Sequence, residues 1–222
     1  MRNTINSNET TTSQITGLLQ KGYEAVVNGS IPGMESAEEL AASYLKDYTD
    51  RKDAANALVR WQNVKCAIDG FITGVPGLPA LPVTLPANIL STYIILLRMI
   101  AAIAAIGGYD LKDDRVQSLV LLSLAGESVD KVLRPMGISA TQTLAKAGVN
   151  AIPRNLIGRI NKMVGTKLLT KFSEKGIIQL GKLVPLAGGI LGGMVDGITS
   201  NIIGNVAIKT FLEKTETCRM AA

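Results

Sequence analysis

Asp110, Asp113 and Asp114 are the closest this sequence comes to a metal-binding or acid–base constellation. Clustered carboxylates can bind a divalent cation or move a proton. These three stand in YDLKDDRVQSL, where an apolar helical pattern begins, and acids in a first helical turn complement the helix dipole. The expected role is a helix cap. The chain has no histidine, the commonest general base and metal ligand. Its two cysteines, Cys66 and Cys218, are far apart and form neither a metal motif nor a disulfide framework. A phosphate-binding P-loop, a G-x-G-x-x-G turn and a G-x-S-x-G elbow are all missing. No catalytic residue, no metal and no cofactor is expected.

The basic residues carry a stronger signal. Residues 1–50 hold three basic and seven acidic side chains, 51–145 nine and seven, and 146–222 eleven and four. The net charge of +5 thus originates in the C-terminal third, and such asymmetry points to an anionic partner. Within 154–182 stand Arg154, Arg159, Lys162, Lys167, Lys171, Lys175 and Lys182 against one acid, Glu174. Lys167, Lys171 and Lys175 share a helical face beside Leu168, Leu169 and Phe172, as in helices that lie on anionic membranes. An ordinary solvated face is the alternative. Nucleic acid is disfavoured, since no aromatic residues interleave the basic ones and no nucleic-acid-binding motif is present.

The elements that would position these residues read as helices throughout. Hydrophobic residues make up 47% of the 222 and aromatic residues 4%, so the apolar content is aliphatic and suits close helix packing. Helices are predicted from a cap at Thr12 or Ser13 to Gly29, from Ser36 (with Glu39 completing a capping box) through Tyr48, and from about Asp50 to Ile72. Their apolar faces are drawn by Leu40, Tyr44, Leu45 and Tyr48, then by Leu58, Trp61, Val64 and Ile68. Prolines 76, 79, 82 and 86 make 75–86 an extended connector. Further helices are predicted at 87–106, Asp110–Leu124, Glu127–Arg134, 139–148 and 153–164, with Gly165 as punctuation and a last helix fading at Glu213.

Two segments are apolar enough to raise the question of membrane crossing. The run 87–106 carries one charge, Arg98. Its isoleucines and leucines favour insertion by about 4.5 kcal/mol and a central arginine opposes it by about 3, so insertion is near break-even and a buried bundle helix is the better reading. The run LAGGILGGMVDGITSNIIGN, 186–205, also carries one charge, Asp196. Arg98 and Asp196 could pair inside the core. On a helix, Gly189, Gly193, Gly197, Ser200 and Gly204 fall within an arc of about 80°. A face made only of tiny side chains lets another backbone approach closely, and the 87–106 helix is the expected neighbour.

Three stretches then fall into a familiar order: GVPGLPALPVTLP, the helix LLRMIAAIAAIGGYDL followed by VQSLVLLSLAG, and LVPLAGGILGGMVDGITSNIIGNVAIKTF. Over about residues 60–212 the chain resembles the EcsC family of bacterial proteins. In that family a G-x-P-x-x-P-x-x-x-P stretch precedes a helix closing in G-Y-D, and a proline-and-glycine segment comes late. The late proline here is Pro185, with Gly188, Gly189, Gly192 and Gly193 behind it. The resemblance implies an all-helical cytoplasmic protein, of a family named after a gene beside an ABC transporter and without an established activity. It carries over no catalytic residue, and it leaves the acidic first fifty residues outside the best-matching part.

The expectation is one all-α domain, a multi-helix bundle at 13–214 with a proline-rich connector and a glycine-faced C-terminal helix. Residues 1–12 and 215–222 are read as flexible tails. The expected role is non-catalytic, an accessory factor or binder of anionic lipid at the inner face of the cytoplasmic membrane, with a protein partner or a second copy of the chain left open. The rival is a carrier of lipid or another hydrophobic ligand, or a lipid-acting enzyme, with its pocket under the connector.

Overall fold

The computed structural model describes residues 16–68, 87–126, 149, 152–172 and 190–212, excluding the side chains of 63–68, 87–91, 168–172 and 190–199. Seven helices occupy these residues, and no strand is found among them: α1 (16–27), α2 (Ala37–Asp47), α3 (Arg51–Ile68), α4 (Ala87–Ile106), α5 (Asp114–Leu124), α6 (Arg154–Phe172) and α7 (Ile190–Phe211). The chain is an all-α bundle. The proline-rich connector, the helices expected at 127–134 and 139–148, and both tails lie outside the described residues.

Local chemistry explains where the helices begin and end. Ser36 and Glu39 form the expected capping box: Glu39 N donates to Ser36 Oγ at 3.1 Å, and Ser36 N donates to Glu39 Oε2 at 2.9 Å. These two bonds satisfy backbone donors that α2 itself leaves without partners. At the end of α4, Gly108 takes φ +83°, a conformation other residues rarely adopt. Tyr109 N can then donate back to Ala104 O at 3.1 Å, closing the helix in a Schellman turn. Gly29 (φ +64°) ends α1 the same way, with Ser30 N donating to Ala25 O at 3.0 Å.

Helix α4 is the axis of the core. Leu96, Leu97 and all of Met99–Ala104 are buried, because α2, α3, α5 and α7 all pack on it. A helix covered on every side is apolar all round, which is why its sequence resembles a membrane span. Among the described residues, no helix is long and apolar enough to cross a membrane. The acidic N-terminal region joins the same core through Leu19, Tyr23 and Val26 of α1 and Ala37, Leu40 and Ala41 of α2. Tyr23 donates its hydroxyl to Leu111 O at 2.7 Å, tying α1 to the turn before α5, and burial pushes its phenol well above the ordinary range. One end of the bundle is closed where Arg51 Nη1 donates to Gly107 O at 3.2 Å and the Tyr109 and Phe211 rings meet edge-on at 5.3 Å.

Three sequence-based expectations change. Among the described side chains of α3 the buried ones are Ala54, Ala55, Ala57, Leu58, Val59 and Gln62, whereas Trp61 is 54% exposed; the side chains of Val64 and Ile68 lie outside them. On α2, Leu45 and Tyr48 point outward. Helix α3 approaches α7 closely where Val59 meets Gly204, whereas Trp61 faces outward. Gly165 does not end a helix either. It is buried within a continuous α6.

Candidate functional site

The basic segment is built on α6. The stretch has no proline after Pro153, and Leu156, Ile160 and Val164 recur every four residues. All three are buried, and α6 packs against α5. Arg154, Asn155, Gly158, Arg159, Lys162 and Thr166 are exposed, on the opposite side of the helix by the 100° step. Lys167 is half-buried. The side chain of Lys171, and Lys175 and Lys182 entirely, lie outside the described residues.

The electrostatics of this face are one-sided. Helix α6 contains no Asp or Glu in its nineteen residues. Arg154 and Arg159 have no ion-pair partner among the described residues. Arg154 stands at the positive end of the helix dipole, where a cation weakens the helix. Arginine there adds to the field of the free N–H groups instead of opposing it. Because the apolar face is already spent on α5, this half of α6 can meet a partner by charge but has no apolar side chains to insert.

Two of the three carboxylates of the cluster are engaged by the backbone. Asp113 caps α5 by accepting from Arg115 N at 2.8 Å, and Asp110 accepts from Lys112 N at 2.9 Å. Asp113 also pairs with the Arg115 guanidinium at 3.6 Å. Among the described residues, no group of three acidic, histidine or cysteine side chains is placed to hold a metal.

The small-residue face of α7 turns inward where it is described. Ser200 is buried and its Oγ donates to Met99 Sδ of α4 at 3.9 Å. Gly204 abuts α3: a Cβ added there would lie 2.6 Å from Val59 Cγ2. The neighbour expected from sequence was α4. Both helices in fact share the face, and α3 makes the more extensive contact with α7. Val59, the α3 residue that Gly204 meets, carries no sequence signal for that pairing. Gly189 and the surroundings of Gly193 and Gly197 lie outside the described residues.

Arg98 is only 8% exposed. The acceptor the structure gives it is the carbonyl of Glu35, 3.4 Å from Nη1. The Asp196 side chain, the partner considered from sequence, is outside the described residues. The pocket expected under the proline-rich connector lies outside them as well.

The model of the EcsC protein family matches residues 4–213. No curated protein and no solved structure matches the chain. The match begins at residue 4, so the acidic N-terminal helices are part of the family domain, in keeping with the residues α1 and α2 place in the core. This corrects the boundary near residue 60 drawn from the motifs. From residue 4 to residue 213, the chain belongs to the EcsC protein family.

Proposed function

We propose that the protein is a non-catalytic peripheral binder of anionic membrane surfaces, acting at the inner face of the cytoplasmic membrane with α6 as its contact. The observation that carries this reading is the outward face of α6, where Arg154, Arg159 and Lys162 are exposed on a helix without a single acid. Each basic residue near an anionic surface contributes about 1 kcal/mol. The three together give about 3 kcal/mol, a factor of roughly 150 in partitioning. Binding of that strength is reversible and falls steeply with salt.

Vesicle co-sedimentation tests the proposal. The protein should pellet with phosphatidylglycerol vesicles at low salt, remain in solution with phosphatidylcholine vesicles, and be released by a high-salt wash.

A further inference from the structure

A glycine inside a helix is costly relative to alanine, so its presence calls for a reason. For several glycines the reason lies within the fold. A Cβ at Gly22 would fall 2.7 Å from Ile94 Cδ1 and one at Gly204 2.6 Å from Val59 Cγ2, while Gly29 and Gly108 take positive φ. Gly17 has open space around it, but it stands in the first turn of α1 and not in a helix interior. Gly158 has no such reason. It lies one turn inside α6, it is exposed, and it is not among the glycines of positive φ. A Cβ there would meet nothing within 4 Å among the described residues.

The surface neighbours of a helical residue lie three and four positions away, with Cβ atoms about 5–6 Å apart. For Gly158 these are Arg154, Asn155, Asn161 and Lys162. Each carries side-chain N–H donors, two are cations, and none is an acid. Arg154, Asn155 and Lys162 are exposed, and Arg159, the next residue after the glycine, is exposed too. The glycine therefore leaves a patch of bare backbone ringed by donors. Coulomb attraction grows as the separation shrinks, so an anion resting on that backbone comes nearer both cations than one held off by a side chain. We propose that Gly158 is the floor of a phosphate seat, with Arg154, Asn155 and Lys162 donating to the phosphate oxygens. A guanidinium fork and an ammonium both suit that group. The inference rests on the α6 reading and deepens it: the phosphate is that of an anionic lipid headgroup, held at one place on the helix.

The test is a charge-neutral substitution in the full chain, read by thermal melting, by sedimentation with phosphatidylglycerol vesicles and by calorimetric titration with inorganic phosphate. Gly158→Leu should raise Tm, because leucine is the better helix former and has open space there. It should nevertheless weaken vesicle binding about tenfold, the worth of one charge-assisted hydrogen bond. Gly158→Ala should show both effects to a smaller extent. Thr166→Leu, which adds an apolar side chain to the same face two turns further on, should not weaken binding. A diffuse charged surface predicts the opposite sign at Gly158, since a leucine there could enter the bilayer and strengthen binding. Wild-type protein that binds inorganic phosphate but not vesicles, and loses that binding in Gly158→Leu, would keep the seat for free anions and end the membrane reading. Vesicle binding that is unchanged or stronger in Gly158→Leu, or equally weakened in Thr166→Leu, would overturn the seat and leave the membrane reading standing. Binding of neither probe would overturn both.

Discussion

Gly204 of α7 sits so close to Val59 of α3 that a Cβ on the glycine would fall 2.6 Å from Val59 Cγ2 and 2.7 Å from Cγ1. Both contacts are shorter than van der Waals packing permits, and both residues are buried. The glycine is what allows these two helices to touch backbone to side chain. Exchanging it for alanine raises helix propensity by about 1 kcal/mol, but overpacking of this kind costs about 1–3 kcal/mol. Gly204→Ala is expected to lower Tm. Adding Val59→Ala should recover part of the loss, with a coupling of at least about 0.5 kcal/mol in a double-mutant cycle. Additive effects would mean that the contact is relieved elsewhere.

Trp61 and Gln62 have exchanged the positions their chemistry suggests. The tryptophan is 54% exposed and the glutamine 1%, and Gln62 Oε1 is buried with no hydrogen-bond partner among the described residues. The chain has one tryptophan, so its fluorescence reports this site directly. Emission should be red-shifted and readily quenched by acrylamide. Gln62→Leu removes the unsatisfied oxygen at similar volume and is expected to be neutral or stabilising in urea unfolding, whereas Gln62→Ala should destabilise by leaving a cavity.

The capping box makes α2 sensitive to acid. Hydrogen bonds from the Ser36 backbone and hydroxyl hold the Glu39 carboxyl below its ordinary value. A depressed folded-state pKa contributes stability that is fully present above the unfolded value, about 4.3, and is lost as pH falls through the folded one. Glu39→Gln should therefore flatten the stability profile below about pH 4.3 and leave its shape unchanged at neutral pH. The comparison is made by denaturant unfolding at a series of pH values. Identical acid limbs would show that the carboxylate contributes nothing through the cap.

Much of the architecture was legible because it rests on local rules. The Ser36–Glu39 box, the glycines closing α1 and α4, and the aspartates opening α5 are each fixed by neighbours in sequence. The burial of α4 followed from its being apolar on every side. Helix pairing was harder to read. The glycine face of α7 announced a close neighbour, but nothing local marks Val59 of α3, rather than an apolar residue of α4, as what Gly204 meets. Periodicity failed at Trp61, Leu45 and Tyr48, which are exposed, because it ranks residues by hydrophobicity, whereas burial is decided by which neighbours pack on each face. Arg98 stood out in sequence as a lone charge. Its acceptor, a carbonyl 63 positions away, has no sequence signature.

The α6 surface is tested most directly by charge reversal. Wild-type protein and an Arg154→Glu/Arg159→Glu/Lys162→Glu variant would be sedimented with phosphatidylglycerol vesicles at low salt, after circular dichroism and melting establish that the two are equally folded. All three side chains are exposed and away from the packed face of α6, so the reversal should leave the fold unchanged. The account predicts that wild-type protein pellets with the vesicles and that the variant stays in the supernatant. Wild-type protein that fails to bind, or a variant that binds equally well, would contradict it.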